Sequence, residues 1–333
     1  MGGDHGPAVI VEGAADAVRE FGASVILVGN RDAIERELAR LNAGNLGLEI
    51  RHASQVVEMA ESPSQALRRK RDSSLRIAAE LVRDGHASAF ISAGNTGAAM
   101  AIAMFVIGVL RGIDRPAIAT VLPSLKRATV LLDVGANVAP KPWHLFQFAL
   151  MGHAYARDIL GVDNPRVGLL SVGEEEGKGN DLTREAYEQL KESALNFIGN
   201  VEGRDIYNGT CDVVVTDGFT GNVALKISES LAEMLGAMIK EELTRDLRSK
   251  IGAALSTPAF TRFRKRVDYT EFGGAPLLGI DGEAIICHGR SPAKAIKNAV
   301  RVAAEWAKKG LNEHIRAALE SEVARGGREG GRE

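Results

Sequence analysis

Hydrophobic positions along the chain form two kinds of run, which alternate through most of its length. Short apolar runs without helical spacing predict buried strands, and longer runs with apolar residues three and four positions apart predict amphipathic helices. The predicted strands are residues 24–28, 48–52, 89–92, 117–122, 129–132, 167–172, 196–203, 212–216 and 284–287. The predicted helices are residues 8–21, 31–41, 75–83, 98–110, 143–160, 181–190, 223–255 and 292–308.

This alternation predicts an α/β fold, built on an open, doubly wound, mostly parallel sheet with helices on both faces (α/β/α). Right-handed crossovers between parallel strands would bring the carboxyl ends of the strands to one edge of the sheet. Because open α/β sheets bind their ligands at that edge, the loops after the strands are the first place to look for chemistry.

The loop after the sixth predicted strand carries the strongest signal. Gly173, Gly177 and Gly179 allow the backbone to turn its N–H groups inward, and a helix starting at Asp181 would add partial positive charge. Lys178 lies between two glycines, where its ammonium group can reach an anion. The pattern indicates a site for phosphate or a developing oxyanion. An ordinary turn with a solvated lysine would have the same local sequence.

Two further junctions of this kind strengthen the anion-site interpretation. Residues 93–97 and 217–222 each follow a predicted strand and lead into a predicted helix, and both contain Gly, Asn and Thr. Asp133 and Asn137 lie just after another strand. If all these loops share one edge of the sheet, they predict an anion site made of backbone N–H groups, amides, hydroxyls and one lysine.

Composition excludes several other classes of protein. The 41 basic and 43 acidic residues nearly balance, which argues against a basic nucleic-acid binder. The two cysteines lie far apart outside any Cys-x-x-Cys pair, so we expect no disulfide framework or metal site and a reducing, cytoplasmic setting. No basic-then-apolar leader is present, and the apolar run 98–110 is too short to span a bilayer.

Familiar catalytic motifs are also missing from the sequence. We find no phosphate-binding P-loop, no nucleophile elbow of the Gly-x-Ser-x-Gly type, and no dinucleotide fingerprint after a strand. Cys287 and His288 are neighbours on a predicted strand, so their side chains would point to opposite faces and could not pair as nucleophile and base.

Helical spacing over residues 227–255 predicts a helix too long for a compact domain. We expect it to protrude and form a homodimer, with core packing as the alternative. Pro258 should end it, and the mixture of aromatic and basic residues in 260–266 suits lipid headgroups, an acidic protein or a solvated turn. The predicted membrane contacts are Leu255, Phe260 and Phe263.

Three regions follow from these patterns. Residues 1–225 and 268–310 should form the α/β catalytic domain, 226–267 the dimer and membrane element, and 311–333 a C-terminal helix with a disordered tail from residue 325. The basic run 68–71 is either a solvated helix face or a docking patch for an acidic partner. The glycine loop at residues 1–6 enters a helix without a preceding strand, so it is either a simple arm or the remainder of a junction whose strand lies upstream.

Six of these loops together resemble those of the PlsX family, the bacterial acyl-acyl-carrier-protein:phosphate acyltransferases, over residues 1 to about 308. They are Met1-Gly-Gly-Asp4, Ser92-Ala-Gly-Asn-Thr-Gly97, Asp133-Val-Gly-Ala-Asn137, Ser171-Val-Gly-Glu-Glu-Glu-Gly-Lys-Gly-Asn180, Thr216-Asp-Gly-Phe-Thr-Gly-Asn-Val-Ala-Leu-Lys226 and Gly273-Gly-Ala-Pro-Leu-Leu-Gly279. The resemblance implies a fold like that of phosphate acetyltransferase and the isopropylmalate dehydrogenases, without a cofactor.

The same resemblance implies the activity and its partners. Members transfer a long-chain acyl group from acyl carrier protein to inorganic phosphate, and the acyl phosphate supplies phospholipid synthesis through a downstream acyl-phosphate:glycerol-3-phosphate acyltransferase. They are homodimers attached peripherally to the inner face of an anionic membrane. By match to the family's site, Lys178 and Asn222 are the candidate catalytic residues. The candidate phosphate- and substrate-binding residues are Gly3, Asp4, Gly94, Asn95, Thr96, Gly97, Gly135, Asn137, Gly177, Gly179, Asn180 and Asp217.

Two departures from the family pattern bear on this interpretation. The family has a short strand ending in Asp-Ala before the Met-Gly-Gly-Asp motif, which this sequence does not contain, so we expect a strand upstream of Met1. The family commonly has Asp-Cys where this chain has Ala139-Pro140. The alternative functions are a decarboxylating dehydrogenase of related fold, which would need clustered acidic metal ligands, and a non-catalytic scaffold for acyl proteins, which would not need Lys178.

Overall fold

The computed structural model describes residues 1–267 and 269–329. Its strands are β1 (Ile26–Gly29), β2 (Glu49–His52), β3 (Ala89–Ser92), β4 (Ala117–Pro123), β5 (Ala128–Leu132), β6 (Val167–Leu170), β7 (Phe197–Val201), β8 (Val213–Val215), β9 (Ala275–Leu278) and β10 (Glu283–Ile286). Its α-helices are α1 (Gly6–Phe21), α2 (Arg31–Arg40), α3 (Pro63–Arg69), α4 (Ser74–Arg83), α5 (Thr96–Ile102), α6 (Pro142–Asp158), α7 (Asp181–Lys191), α8 (Asp205–Asn208), α9 (Gly218–Thr244), α10 (Leu247–Val267), α11 (Ala293–Lys309) and α12 (Leu311–Glu329).

Eight strands form a mixed, mostly parallel sheet in the order β3-β10-β9-β4-β5-β8-β6-β7. The pairs β3–β10, β5–β8, β8–β6 and β6–β7 are parallel, whereas β9 is antiparallel to both neighbours and β4 is antiparallel to β5. The predicted α/β fold is confirmed. The inner strands are apolar along their whole length, as expected where helices cover a sheet.

Strand β9 is the strand of the large sheet that the sequence prediction missed. Residues 273–279 were interpreted as a glycine-rich loop, and that prediction is wrong for Ala275–Leu278. The glycines on either side of β9 take positive φ angles, 111° at Gly274 and 88° at Gly279, which is typical of turns. The four residues between them are too few to show the alternation of polar and apolar residues that predicts a strand. Pro276 stands opposite Ile285 of β10 in the ladder. Helices α3 and α8 were not predicted either.

The protruding helical region also differs from its prediction. Two helices replace the single long helix, because α9 ends at Thr244 and α10 begins at Leu247. Between them, the Asp246 carboxylate accepts a hydrogen bond from the N–H of Ser249 at 2.8 Å, which is the contact of a helix cap. Pro258 does not end the helix and lies inside α10.

Two further helices depart from their sequence predictions. The apolar run predicted as a helix over 98–110 is instead α5 followed by a π-helical turn, Ala103–Ile107. Helix α12 reaches Glu329, so residues 325–329 are helical where a disordered tail was expected, and residues 330–333 lie outside the described residues. Its side chains Leu311, Ile315 and Leu319 are buried in the main core.

A cavity of about 400 Å³ lies between β1 and β3. Strands β1 and β2 form a separate parallel pair, and β3 is the outermost strand of the large sheet. Among the described residues, β1 and β3 therefore each have one side without a hydrogen-bonded neighbouring strand. Residues of α1, α4 and α11 also line the cavity, and Met1–Gly3 lies at its wall. An extended peptide lying between the two strands would satisfy unpaired backbone groups on both of them at once.

We therefore expect an apolar, β-branched segment fused ahead of Met1 to stabilise the protein. Each kcal/mol gained would raise the melting temperature by roughly 1–2 °C, because the entropy of unfolding grows with chain length. A Gly/Ser extension of equal length is the matched control and should leave the melting temperature unchanged. Equal melting temperatures for the two extensions would show that the cavity does not accept a strand.

Glu283, the first residue of β10, is a buried carboxyl group with an orphaned oxygen. Its side-chain Oε2 has no hydrogen-bond partner among the described residues. Burial, followed by the negative charge of Glu313, raises the pKa of Glu283 from its ordinary 4.5 to about 8. Between these two pH values the folded protein therefore holds a proton on Glu283 that the unfolded chain does not hold.

This pKa predicts a pH-dependent stability. The free energy of unfolding should fall as pH rises from 4.5 to about 8, by on the order of 2 kcal/mol after partial solvent screening is allowed for. Denaturant unfolding at several pH values measures it. Glu283→Gln should flatten the slope, whereas Asp281→Asn, at an exposed carboxylate, should keep the slope of the wild type.

Candidate active site

Three loops leave the sheet at one edge because β5, β8 and β6 are adjacent and parallel. Leu132 of β5 stands opposite Val215 of β8, which stands opposite Leu169 of β6. The segments that follow are the loops 133–137 and 171–180 and, after β8, residues 216–217 with the first turns of α9, residues 218–222, where a loop was predicted. The predicted convergence of these three loops is confirmed.

The fourth predicted loop, residues 93–97, leaves the sheet at the opposite edge. Strand β3 is parallel to β10, and three successive antiparallel pairings then lead through β9 and β4 to β5. An odd number of reversals makes β3 antiparallel to β5. The expectation that every junction shares one edge is therefore wrong for residues 93–97, because it assumed an unbroken parallel sheet.

Asp133 organises the first loop from a fully buried position. Its Oδ1 accepts hydrogen bonds from the backbone N–H groups of Ile118, Gly135 and Ala136 at 3.0–3.2 Å. Its Oδ2 accepts from the backbone N–H and the side-chain Nδ2 of Asn137 at 2.6 and 3.0 Å. Burial raises the pKa of Asp133, and these N–H donors act against the rise by stabilising the carboxylate.

Asp133 is thus a positioning residue, whereas the sequence predicted only that it lies near the anion site. The signal for this role was an acidic residue directly after a buried strand and two positions before a glycine. The Asn137 amide, predicted to bind substrate, also donates to the carbonyl of Pro116 at 2.8 Å. Both Nδ2 hydrogens of Asn137 are therefore engaged within the protein.

The first loop touches the start of α9, which follows β8. The N–H of Gly218 donates to the carbonyl of Asn137 at 2.8 Å. A Cβ at Gly221 would lie 1.9 Å from the carbonyl oxygen of Asp133, so only glycine permits this approach. The Asn222 side chain lies over Gly135, where a Cβ would be 3.8 Å from its Cγ. Asn222 is itself exposed and so is available to a ligand.

Asp217 caps α9 and occupies the donors that an anion would otherwise use. Its Oδ1 accepts from the N–H groups of Phe219 and Thr220 at 3.0 and 2.9 Å, and its Oδ2 accepts from the Thr220 hydroxyl at 2.7 Å. With Gly218 already bonded to the first loop, the start of α9 is satisfied by protein groups. An anion at this position would be bound by side chains such as Asn222.

The loop after β6 leaves Lys178 free. Ion pairs engage Glu174 with Arg204 at 2.6 Å and Glu176 with Lys191 at 2.5 Å, whereas the Lys178 ammonium has no hydrogen bond or ion pair to any described residue. The Lys178 side chain is exposed, and its stem passes close to Gly173. This loop therefore presents one unpaired positive charge at the shared edge.

The neighbours of Lys178 shape the turn rather than binding through their side chains. Gly179 has a φ angle of 110°, and a Cβ there would lie 2.1 Å from the Thr183 hydroxyl. The Asn180 Oδ1 caps α7 by accepting from the N–H of Thr183 at 2.9 Å. Gly177 has open space around its Cα. The hydroxyl of Ser171, next to Gly179, is buried without a hydrogen-bond partner among the described residues.

The turn at the opposite edge contacts the N-terminal segment instead. The Asn95 Nδ2 donates to the carbonyls of Glu58, Met59 and Glu61 at 2.8–3.2 Å, and its Oδ1 caps α5. Asn95 thus fixes a neighbouring loop, and its side chain offers no free donor. The remaining candidates beside it are Gly3, Asp4, Gly94, Thr96 and Gly97.

Gly3 and Asp4 lie against this turn. A Cβ at Gly3 would be 2.7 Å from the carbonyl of Ala93, and the N–H of Asp4 donates to the carbonyl of Gly289 at 3.1 Å. Gly97 packs against Pro63, and Thr96 is exposed. The structure therefore gathers the predicted site residues into two groups, one at each edge of the sheet.

The cysteines offer no nucleophile. Cys211 and Cys287 are buried, and burial raises the pKa of each thiol to about 12. The Cys287 Sγ donates to the carbonyl of Gly273 at 3.6 Å. In the described part of the chain, no group of three or more His, Cys, Asp and Glu side chains could hold a metal ion.

Residues 1–314 match the model of a family described as "Fatty acid synthesis protein". The chain belongs to this family, which is the PlsX family that its loops resemble. A phosphate acyltransferase of Geotalea uraniireducens is 58% identical over 96% of this chain and 92% of its own length. One from Nitratidesulfovibrio vulgaris is 54% identical over 96% and 93%, respectively.

Solved structures confirm the fold. A phosphotransacetylase from Streptococcus pyogenes superimposes with a TM-score of 0.64 at 18% identity, covering 90% of this chain and 91% of its own. The EutD phosphotransacetylase from Staphylococcus aureus gives 0.59 at 15% identity, covering 89% of each chain. At such low identity the likeness concerns architecture alone.

Proposed function

We propose that this PlsX-family chain transfers a long-chain acyl group from acyl carrier protein to inorganic phosphate, giving acyl phosphate for phospholipid synthesis. The observation that carries the proposal is its 54–58% identity, over nearly its whole length, to phosphate acyltransferases. The free Lys178 ammonium and the exposed Asn222 amide on one sheet edge supply donors suited to that chemistry.

The reaction needs little from the protein beyond positioning and charge stabilisation. A phosphate oxygen attacks the thioester carbonyl carbon, a C–O bond forms, and the carbonyl oxygen becomes an oxyanion. The C–S bond then breaks, and the thiolate leaves and takes a proton from water. Phosphate is already nucleophilic at neutral pH and a thiolate is a good leaving group, so no general base or acid is required.

Lys178 and Asn222 are the groups proposed to contact the reacting atoms. The Lys178 ammonium would stabilise the phosphate and the oxyanion, and the Asn222 Nδ2 would donate to the carbonyl oxygen. Gly135, Gly177 and Gly179 let the backbone approach the substrate. The remaining members of this group, Asn137, Asn180 and Asp217, hold these loops in place through the hydrogen bonds described above.

The assay measures the phosphate-dependent loss of an acyl thioester, and the free thiol that is released is the quantity detected. We expect thiol release from acyl-carrier protein only when phosphate is present. A decarboxylating dehydrogenase would instead reduce a nicotinamide cofactor when given a hydroxy acid, and a scaffold would bind acyl protein without turnover. Loss of the thioester at the same rate without phosphate would contradict acyl transfer to phosphate.

Helices α9 and α10 supply a surface for further contacts, and we propose that they form a homodimer and touch the inner face of an anionic membrane. Helix α9 exposes Ile227, Leu231, Leu235 and Met238. Between residues 1–267 and 269–329, no helix is long and apolar enough to cross a bilayer, so attachment would be peripheral. Product at the membrane would be available to a downstream acyl-phosphate:glycerol-3-phosphate acyltransferase.

Helix α10 carries the proposed membrane contact. Leu255 and Phe263 are 79% and 57% exposed, and Phe260 is 39% exposed. Arg262 and Lys265 are exposed beside them, whereas Arg266 hydrogen-bonds the carbonyls of Ser124 and Leu125 and so is tied to the α/β core.

We expect Leu255→Glu to release the protein from anionic vesicles without loss of acyl phosphate formation from soluble substrate. Each basic residue near an anionic surface contributes about 1 kcal/mol, so binding should be reversible and weaken with salt. Vesicle sedimentation measures it, and Val323→Glu, at an exposed apolar residue of α12, is the matched control. Two variants should both sediment less with vesicles: Leu255→Glu and a variant in which the basic residues of α10 are neutralised. If both sediment like the wild type, α10 is not the membrane contact.

A further inference from the structure

Helix α3 and the two residues after it present unpaired arginines beside the 93–97 turn. Arg68, Arg69 and Arg71 are exposed, and none forms an ion pair or hydrogen bond through its side chain with a described residue. Lys70, in the same run, differs: its ammonium pairs with Glu61 at 2.6 Å and donates to the carbonyl of Val56. The run therefore consists of one structural lysine and three cations directed to solvent.

The platform that carries these cations is fixed to the protein. Ala66 of α3 is completely buried, and the Arg76 guanidinium donates to the carbonyl of Leu67 at 3.3 Å. Pro63, at the start of α3, packs against Gly97. Positive charges on a fixed helix lose less conformational freedom on binding than charges on a loop, which favours a docking role over mere solvation.

The surface continues from α3 across the 93–97 turn. Asn95 ties the turn to residues 58–61, which place Met59 at the surface with 42% exposure. Met59 lies next to Gly289, and the residue after Gly289 is the exposed Arg290. The acidic side chains exposed along this stretch are Asp4, Glu58 and Asp72, and the Asp72 carboxylate accepts hydrogen bonds from Ser54. Four unpaired arginines against three carboxylates leave the surface with a small net positive charge around an apolar centre.

We infer that Arg68, Arg69, Arg71 and Arg290, with Met59 among them, form a docking surface for the acidic protein that carries the acyl thioester. The inference rests on the proposed function. A cationic rim around an exposed methionine fits an acidic helical protein, since rim charges steer association and a methionine adapts to an apolar partner surface. This surface lies at the sheet edge opposite Lys178 and Asn222, so the extended pantetheine arm of the carrier would have to span the sheet to bring the thioester to them. Docking there leaves α9 and α10 free for membrane attachment.

The test compares the acyl group on its carrier protein with the same acyl group on a pantetheine thioester without the protein. The triple variant carries Arg68→Glu, Arg69→Glu and Arg71→Glu. We expect its KM for the carrier protein loaded with the acyl group to rise by about tenfold or more. Its kcat and its KM for the pantetheine thioester should stay within about twofold of wild type. Lys308→Glu, on α11, is the control for charge reversal at an exposed site outside the proposed surface.

Salt supplies an independent readout. The KM of the wild type for the carrier protein should rise with ionic strength, and that of the triple variant should change little. Equal KM values for the triple variant and Lys308→Glu would overturn the docking surface. Loss of vesicle binding by the triple variant with an unchanged KM would also overturn it, because that result would assign the arginines to lipid binding. If the wild type shows no phosphate-dependent turnover of either thioester, the proposed function fails instead.

Discussion

Replacing Lys178 with alanine is expected to lower kcat by on the order of 10²–10³, equivalent to about 2.7–4 kcal/mol of transition-state stabilisation. The physical reason is that Lys178 is the unpaired cation of the loop after β6, while Glu174 and Glu176 beside it are engaged in ion pairs. Its removal takes away charge stabilisation without leaving a buried group unpaired, so folding should be preserved.

Lys191→Ala is the control for this experiment. Lys191 pairs with Glu176 in the same loop, so its loss tests whether any change of charge there lowers the rate. We expect Lys191→Ala to stay within about threefold of the wild-type kcat, because a surface ion pair contributes little. A folded Lys178→Ala with turnover also within about threefold would remove the lysine from the mechanism.

Asp133→Ala is expected to lower the free energy of unfolding by about 3–5 kcal/mol and to abolish turnover. The substitution leaves without an acceptor the buried N–H groups of Ile118 and Asn137 and the partly buried ones of Gly135 and Ala136. It also frees the loop over which Asn222 lies. Denaturant unfolding and a turnover assay measure the two effects.

Asp217→Ala provides the comparison for Asp133. Asp217 also accepts backbone N–H groups, but at a partly exposed helix cap, where the loss of a cap typically costs about 0.5–2 kcal/mol. If the two variants are equally stable, burial of the Asp133 carboxylate does not set the rigidity of this edge, and its role as a positioning residue fails.

Local patterns predicted the elements whose signals are local. The strand over residues 89–92 is β3, residue for residue, and the helix predicted from Asp181 begins there, because apolar runs and caps are read within a few positions. The loops carrying Lys178 and Asn222 were placed correctly at one edge for the same reason. Parallel pairing of β5, β8 and β6 followed from their connection through helices.

Pairing between strands that lie far apart in the chain leaves no such local signal in the sequence. Residues 275–278 pair with a strand more than 150 positions earlier in the chain, Ala117–Pro123, and that pairing helps reverse the direction of β3 relative to β5. Likewise, the sequence showed amides and carboxylates near the loops but not their use. Asn95 looked like a ligand-binding group, whereas its amide makes tertiary contacts that hold a neighbouring loop. Asp217 looked like another, but it caps α9 through contacts two and three residues away.

The most direct test of acyl transfer to phosphate is to follow the phosphorus itself. With acyl-carrier protein and ¹⁸O-labelled phosphate, ³¹P NMR should show one acyl phosphate formed for each thiol released, with the label retained in the oxygen that joins carbon to phosphorus. Lys178→Ala should form the same product far more slowly. Release of free fatty acid in place of acyl phosphate, at a rate independent of phosphate, would contradict the account.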